Sequence, residues 1–220
     1  MKTPGKSKIK SLVNFDRKHG NLVIGADEAG RGPVAGPVTA AAVFFPEFTG
    51  EILETIQFID DSKKLTPALR IELAAQIKQV AKYSIAECSV EEIAKYNILQ
   101  ASLLAMKRAC EGVFAQIDAK DAVILVDGKF VIPRYKLGQK AVKKGDSLSA
   151  SIAAASILAK TDRDKFMEKI SEEFPAYDWH KNKGYGTEKH IEAIKAHGQC
   201  KWHRKSFLSK IYAQQQKLIP

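Results

Sequence analysis

The chain has 220 residues, 45% of them hydrophobic and 27% charged, a balance that excludes a largely disordered protein. It has no apolar run of about 20 residues, so no membrane span is expected. Its three scattered cysteines predict neither a disulfide framework nor a zinc site, and they favour a reducing cytoplasm. The net charge of +10 lies at the ends, with +5 over residues 1–18, +7 over residues 179–220 and −2 between them. Basic termini favour a polyanionic partner, and a solubilising surface is the alternative interpretation.

The predicted elements follow an order typical of an α/β sandwich with a mixed β-sheet flanked by helices. Strands are predicted over residues 22–27, 38–45, 83–90 and 122–127. Helices are predicted after the N-cap Thr66, over about 91–113 with a break near Asn97, over 148–173, and over 187–197 with Gly198 ending the helix. Residues 180–186 are predicted to form a loop. We therefore expect a flexible basic arm over residues 1–20, one domain over 21–200 and a docked helical tail over 201–220.

Acidic side chains stand beside glycines at the edges of apolar segments. Asp27 and Glu28 follow the first predicted strand, Asp127 ends the central strand, and Asp146 precedes the long helix. If the first and central strands are neighbours, Asp27 and Asp127 emerge at one end of the sheet, and the loop with Asp146 can fold back over that edge. Carboxylates gathered there would repel one another strongly, so a compensating cation is expected.

The donor types at this edge indicate which cation it would take. Oxygen ligands with no nearby His or Cys pair favour Mg²⁺ or Mn²⁺ over zinc. Two such ions can clamp a phosphodiester, one activating water and the other stabilising the leaving oxygen. Together with the basic termini, the acids predict a metal-dependent nuclease. The alternative is that each acid caps a helix or forms a turn.

Six motifs carry a resemblance to a known family. They are GADEAGRGPVAGPV, DSKKLT, VDG, KGDSLSASIAAASILAKTDRD, NKGYGT and HRKSF. In order and spacing they resemble bacterial ribonuclease HII over roughly residues 22–208, and the Gly-Arg-Gly form favours this family over its sister family, ribonuclease HIII. The resemblance implies an RNase H-like fold with a C-terminal helical extension. It also implies an endoribonuclease that cuts the RNA strand of RNA–DNA hybrids and cuts 5′ of single ribonucleotides embedded in duplex DNA, leaving 3′-hydroxyl and 5′-phosphate ends.

The same resemblance implies roles for individual residues. The implied catalytic and metal-binding acids are Asp27, Glu28, Asp127 and Asp146, with two Mn²⁺ or Mg²⁺ ions in the substrate complex. The implied substrate-binding residues are Gly30, Arg31 and Gly32, which read the ribonucleotide, Lys63, near a phosphate, and Tyr185, on the deoxyribose that follows. Neighbouring residues of a strand point to opposite faces, so the residues leave open whether Glu28 contributes its side chain or its backbone carbonyl.

Other features have structural or alternative interpretations. The small residues of SIAAASILAK predict close packing of a helix on the sheet, and Arg204, His190 and His203 are interpreted as structural. Two other classes of function are a catalytically silent nucleic-acid-binding module and a divalent-dependent nuclease for plain DNA, such as a junction resolvase. The four acids argue against the first class, and the Gly-Arg-Gly loop and Tyr185 argue against the second. A monomer is expected, and the terminal segment LSKIYAQQQKLIP is a helix on the hybrid, a contact for a replication protein or a plain tail.

Overall fold

The computed structural model of the protein describes residues 6–59, 62, 65–117, 121–136 and 138–209. Its strands are β1 (Val23–Ala29), β2 (Val38–Phe44), β3 (Lys82–Cys88), β4 (Val123–Asp127) and β5 (Gly138–Val142). Its helices are α1 (Lys6–Arg17), α2 (Gly50–Thr55), α3 (Pro67–Val80), α4 (Val90–Phe114), α5 (Ala150–Glu173), α6 (Trp179–Asn182) and α7 (Glu188–His197). The predicted α/β architecture is confirmed.

The strands form one mixed five-stranded sheet in the order β3-β2-β1-β4-β5. β1 pairs antiparallel with β2, and β2 pairs antiparallel with β3. β1 and β4 pair in parallel, as do β4 and β5. The first and central predicted strands are therefore neighbours that run in the same direction, and their carboxyl ends meet at one edge of the sheet.

Helices cover both faces of the sheet. α4 packs with alternate residues of β1, β2 and β4 in one apolar core, and α3 and α5 pack on the opposite face in a second core. α5 lies very close to β1, because a Cβ atom at Gly25 would stand only 2.1 Å from the backbone carbon of Ser151. The predicted close packing of SIAAASILAK is thus confirmed, and Gly25 together with the alanines of α5 makes it sterically possible.

The predicted break near Asn97 is confirmed within α4. Asn97 has φ 64° and ψ 164°, which is not a helical conformation. Its side-chain oxygen accepts hydrogen bonds from the backbone N–H groups of Leu99, at 3.0 Å, and Gln100, at 3.2 Å. Asn97 therefore ends one helical segment and caps the next, and its side chain supplies the N-cap acceptor although its backbone conformation is one that glycine adopts most easily.

The N-terminal region differs from the expected flexible arm. Lys6–Arg17 forms the helix α1, whose apolar residues Ile9, Leu12 and Val13 are buried in the core shared with α5. Asp16 is 1% exposed and accepts hydrogen bonds from the backbone N–H and the hydroxyl of Ser151, both at 2.9 Å. The basic composition hid this amphipathic pattern, and burial of its apolar face together with the Asp16 contact to α5 holds the helix in place.

Smaller differences concern short elements. β5 and α2 were not predicted, and the predicted loop over residues 180–186 begins with the end of the four-residue helix α6. Residues 205–209 are helical, and residues 210–220, the rest of the expected helical tail, lie outside the described residues. Of the helices described, none is both long enough and apolar enough to cross a membrane.

Candidate active site

The sheet brings together acids that are a hundred residues apart in sequence. Asp27 and Asp127 each follow the parallel pair Ala26–Val126, so they stand side by side at the carboxyl ends of β1 and β4. An oxygen of Asp127 accepts a hydrogen bond from the backbone N–H of Gly145 at 2.6 Å. The next residue is Asp146, which is 9% exposed in a short 3₁₀ turn before α5. The loop with Asp146 therefore folds back over this edge, as expected.

A pocket of about 370 Å³ opens beside these strand ends. Three of the four predicted acids, Asp27, Glu28 and Asp127, line it, whereas Asp146 is not part of the lining. The remaining lining residues are Ala29, Gly30, Arg31, Gly32, Ser62, Ser156, Lys160, Arg163 and Tyr185. The structure thus places the acids and the residues predicted to read the ribonucleotide in one cavity.

The acids repel one another in this arrangement. The pKa of the Asp27 carboxyl is raised well above its ordinary value, first by burial and then by the negative charges of Glu28 and Asp127. Hydrogen bonds from the Ser156 hydroxyl and from the backbone N–H of Glu28, the latter at 2.7 Å, offset part of this rise. A positive charge at this edge would relieve the repulsion that the fold imposes on Asp27.

Glu28 belongs to the same site although it is adjacent to Asp27 on a strand. β1 continues through Ala29, so the two side chains leave the strand on opposite sides. Both reach the pocket because it opens beyond the strand ends, where the chain turns into the Gly30–Gly32 loop. The Glu28 carboxylate accepts a hydrogen bond from the Arg31 guanidinium at 3.3 Å. Arg31 thereby neutralises part of the acidic charge at the mouth of the pocket.

The donor set fits a hard divalent cation, but it is not closed into a cage. The acids supply oxygen ligands alone, which Mg²⁺ and Mn²⁺ prefer. Over the described ranges, however, no group of three or more Asp, Glu, His or Cys side chains is arranged so that it could hold a metal ion. Asp27 and Asp127 interact electrostatically, and substrate oxygens would have to complete the coordination of an ion between them.

The Gly30–Gly32 loop approaches the protein interior closely. Gly30 has φ +99°, and a Cβ atom there would lie 2.1 Å from the Nε atom of Arg163. A side chain at position 30 is therefore excluded both by the backbone conformation and by space. Arg31 and Gly32 are exposed, so their backbone groups can meet a ligand in the pocket.

Two buried arginines hold the chain that follows this loop. Arg163 and Arg204 are each 1% exposed. Arg163 donates to the carbonyls of Pro37, Ala35 and Lys183, and Arg204 donates to those of Gly36, Arg31, Pro33 and Pro37, all at 2.8–3.3 Å. Burial lowers the pKa of Arg163 to about 10 and that of Arg204 to about 9, so both stay cationic at neutral pH. The structural interpretation of Arg204 is confirmed.

Tyr185 stands next to the loop, with its ring 47% exposed in the pocket. A Cβ atom at Gly32 would lie 3.5 Å from the Tyr185 ring, so the two predicted substrate-binding segments face each other. The backbone carbonyl of Tyr185 accepts a hydrogen bond of 2.8 Å from Nδ1 of His190. Tyr185 is therefore exposed as a side chain and fixed through its backbone.

The histidine below Tyr185 belongs to a buried, neutral network. Nε2 of His190 accepts from the Trp179 indole at 2.9 Å and lies 3.3 Å from Nε2 of His203. Nδ1 of His203 accepts from the backbone N–H of Cys200 at 3.0 Å, which leaves its Nε2 as the donor. Burial lowers the pKa of His190, and burial followed by the charge of His190 lowers the pKa of His203 to about 4. Of the two roles expected for these histidines, surface or packing, the structure shows packing for both.

Several pocket residues were not singled out from the sequence. Ser156, Lys160 and Arg163 lie at positions i, i+4 and i+7 of α5, so they form a polar stripe on one face of the helix that helical spacing could have revealed. Ser62 joins them, because its hydroxyl lies 2.8 Å from that of Ser156. Lys63, predicted near a phosphate, lies outside the described residues.

Comparisons with known proteins agree with this geometry. The family model for ribonuclease HII matches residues 24–210. A ribonuclease HII from Wolbachia pipientis subsp. Culex pipiens is 50% identical over 186 residues, which cover 84% of this chain and 90% of that protein. Another, from Ehrlichia chaffeensis, is 46% identical over 201 residues, 91% of each chain.

Solved structures share the fold. The structure of the PCNA:RNase HII complex from Archaeoglobus fulgidus has a TM-score of 0.66 and 25% identity, covering 83% of this chain and 93% of that one. The crystal structure of Bst-RNase HIII in complex with Mn²⁺ has a TM-score of 0.68 and 18% identity, covering 92% and 72%. Because the family model spans most of the sequence and the relatives match it nearly end to end, the chain belongs to the ribonuclease HII family of ribonuclease H hydrolases.

Proposed function

We propose that the protein hydrolyses the RNA strand of RNA–DNA hybrids and the phosphodiester 5′ of single ribonucleotides embedded in duplex DNA. The products would carry 3′-hydroxyl and 5′-phosphate ends. One observation supports this proposal above the others: Asp27 and Asp127 share a pocket with the Gly30–Gly32 loop and Tyr185. An acidic site for a cation and a site for reading a sugar are thus adjacent.

The acids would hold the metal ions of the reaction. Asp27 would be the principal ligand, and Asp127, Asp146 and Glu28 would supply the other carboxylate oxygens. The pKa of Asp27 is raised by burial and by its acidic neighbours, as expected for a carboxylate whose negative charge a bound cation would stabilise. Hard divalent ions, when bound, polarise a phosphoryl oxygen and lower the pKa of water. The Mn²⁺ complex of Bst-RNase HIII, a protein of the same fold, supports the choice of Mn²⁺ or Mg²⁺.

The protein's own groups would position the substrate. The backbone of Gly32, an exposed residue without a side chain, can bond a 2′-hydroxyl, the group that distinguishes RNA from DNA. Arg163 and Arg204 keep the neighbouring carbonyls occupied, so the loop keeps its shape when a ligand arrives. The exposed Tyr185 ring offers an apolar surface for the sugar that follows the ribonucleotide.

A labelled DNA duplex with one embedded ribonucleotide tests the proposal directly. With Mg²⁺ or Mn²⁺ we expect a single cut 5′ of the ribonucleotide, and with EDTA we expect none. An all-DNA duplex of the same sequence is the control. Equal cutting of the control would favour a resolvase-like nuclease, and binding without cutting would favour a silent binding module.

A further inference from the structure

A second cavity, an open groove of about 650 Å³, lies beside α1. One wall is a stripe of exposed residues on α1, and the other is the turn that carries Ser147 and Leu148. The stripe consists of Lys10, Asn14 and Arg17, which are spaced i, i+4 and i+7 and therefore share one face of the helix, together with Lys18, the residue directly after α1. We call this cavity the α1 groove.

The α1 groove is positively charged. Lys10, Arg17 and Lys18 contribute three cations, and no acid is among the described residues that line it. The nearest acid on α1, Asp16, is 1% exposed and is engaged by the N–H and hydroxyl of Ser151. Because that carboxylate faces α5, it does not offer a competing partner to an anion in the groove.

The α1 groove has a fixed position beside the turn that follows Asp146. Ile9, Leu12 and Val13 anchor the opposite face of α1 in the core, so the basic stripe has a fixed position. Ser147 follows Asp146 directly, and the same turn is bonded to Asp127 through the backbone N–H of Gly145. A ligand in the groove therefore meets the turn that carries one of the four acids.

We propose that the α1 groove binds the phosphate backbone of the duplex that flanks the cleavage site. The identity of this ligand rests on the proposed function. Three fixed cations with neighbouring Asn14 and Ser147 side chains suit phosphate oxygens, which accept hydrogen bonds from both kinds of group. Such contacts carry no base information, so the groove would strengthen binding to hybrid, ribonucleotide-containing duplex and plain DNA duplex alike.

Binding measured without cleavage tests the α1 groove. The full chain with Lys10→Gln, Arg17→Gln and Lys18→Gln is titrated against a fluorescent duplex in EDTA at salt concentrations from 50 to 200 mM. Each lost phosphate contact lowers the slope of log Kd against log salt by about 0.9, so the slope should fall by about 2.7. Affinity at the lowest salt should weaken about tenfold or more on all three duplex types.

Two control variants separate the α1 groove from general charge effects. The first control removes three positive charges elsewhere, by Lys78→Gln, Lys82→Gln and Lys107→Gln. Lys82 pairs with Phe44 at the end of the sheet opposite Asp27, and Lys78 lies close to it in sequence. Lys10→Arg, Arg17→Lys and Lys18→Arg keep the charge of the groove. For the first control we expect a slope of log Kd against log salt that is larger than that of the groove variant by at least about 2. The second control should bind like the wild type. Circular dichroism checks that α1 stays folded in each variant.

The outcomes are decisive for the α1 groove independently of cleavage. Equal slopes for the groove variant and the Lys78/Lys82/Lys107 variant would overturn the proposal, as would a groove variant that binds like the wild type. Should the triple variant unfold, Lys10→Gln alone is measured, and a slope change of less than about 0.5 would overturn it. If the wild-type protein cuts the embedded ribonucleotide but the variants give these results, the proposed function stands and only the proposal for the α1 groove fails.

Discussion

Asp27 illustrates at the level of one residue how a catalytic arrangement conflicts with stability. Its carboxyl is 5% exposed beside two other acids, and burial and those charges raise its pKa. A carboxyl whose pKa is higher in the folded than in the unfolded protein destabilises the fold once the pH exceeds both values. Asp27 is therefore expected to cost stability at neutral pH when no cation is present.

Asp27→Asn should separate catalysis from folding. We expect cleavage to fall by roughly a thousandfold or more, since the charge at the centre of the acid cluster is gone. In EDTA the melting temperature at pH 7 should rise by a few degrees, and this gain should shrink at acid pH, where Asp27 is already protonated. Duplex affinity should stay within a few-fold, because phosphate contacts dominate it.

The control for this variant is Asp121→Asn, which removes an exposed acid outside the pocket. It should leave both cleavage and melting temperature unchanged. A stability loss in Asp27→Asn at pH 7, or loss of duplex binding together with activity, would contradict the account of a repelled, metal-binding carboxylate.

Tyr185 is the residue that tests recognition of the sugar. Tyr185→Ala should slow cleavage at a single embedded ribonucleotide about tenfold more than cleavage of a uniform hybrid, because the hybrid offers many equivalent positions. Tyr185→Phe keeps the ring that faces Gly32 and should stay close to the wild type on both substrates. Initial rates on the two substrates measure the effect. Equal losses on both would remove Tyr185 from the recognition of the 2′-hydroxyl.

At the scale of elements, α4 shows how one side chain sets the path of a long helix. The positive φ of Asn97 breaks the helix, and its side chain caps the segment that follows. The second segment carries Leu103, Met106 and Cys110 into the core beneath the sheet. The break therefore decides which residues of the second segment face the sheet.

Asn97→Ala should destabilise the protein by about 1–2 kcal/mol, since it loses the cap and places a Cβ-bearing residue without a polar side chain at positive φ. Asn97→Gly keeps the backbone conformation free of strain and should lose less. Urea unfolding measures the difference. Alanine and glycine variants of equal stability would show that the conformation at this position carries no strain.

For the molecule as a whole, a third apolar core supports the substrate-reading side of the pocket. It contains Trp179, Tyr177 and Met167 and encloses the pair His190–His203. This core lies under the segment with Tyr185 and joins it to the 33–37 segment, because Val34 donates its backbone N–H to Gly184. Because the two histidines in this core are neutral, the stability of the core depends on pH.

The pH dependence of stability should reveal this pair. The folded pKa of His203, about 4 because of burial and the charge of His190, is below its ordinary value of 6.5. The stability that depends on a neutral His203 is thus fully present above pH 6.5 and is lost as the pH falls from there towards 4. The slope reaches at most about 1.4 kcal/mol per pH unit for one group.

The difference between wild type and His203→Gln isolates this effect, because buried acids such as Asp27 and Asp16 titrate with the opposite sign in both proteins. The difference in free energy of unfolding between the wild type and His203→Gln, measured with urea from pH 7 to pH 4.5, should become smaller as the pH falls. His197→Gln, at an exposed position, should run parallel to the wild type. A parallel curve for His203→Gln as well would mean that the pair is not held neutral by burial.

Local patterns in the sequence were sufficient for β1 to β4, for a helix cap and for the position of Asp27 and Asp127 at strand ends. Thr66 caps α3 as predicted, because capping depends on residues within one helical turn, and Thr187, predicted as the first residue of its helix, caps α7 in the same way. The parallel neighbours β1 and β4 also carry Asp27 and Asp127 to one edge as expected. The strands and caps follow from backbone periodicity or from hydrogen bonds between residues close in sequence, whereas the pairing of β1 with β4, which the sequence left as a condition, joins residues a hundred positions apart.

Tertiary structure alone decided how the remaining parts meet. Asp16 docks α1 onto Ser151 across 135 residues, and Arg204 holds the carbonyl of Pro37 across 167. Nothing near these residues in the sequence distinguishes a buried, bonded charge from a solvated one, because burial is a property of the packed chain. The same reason explains why residues 6–17 of the expected basic arm form a helix and why Asp146 is not part of the pocket lining.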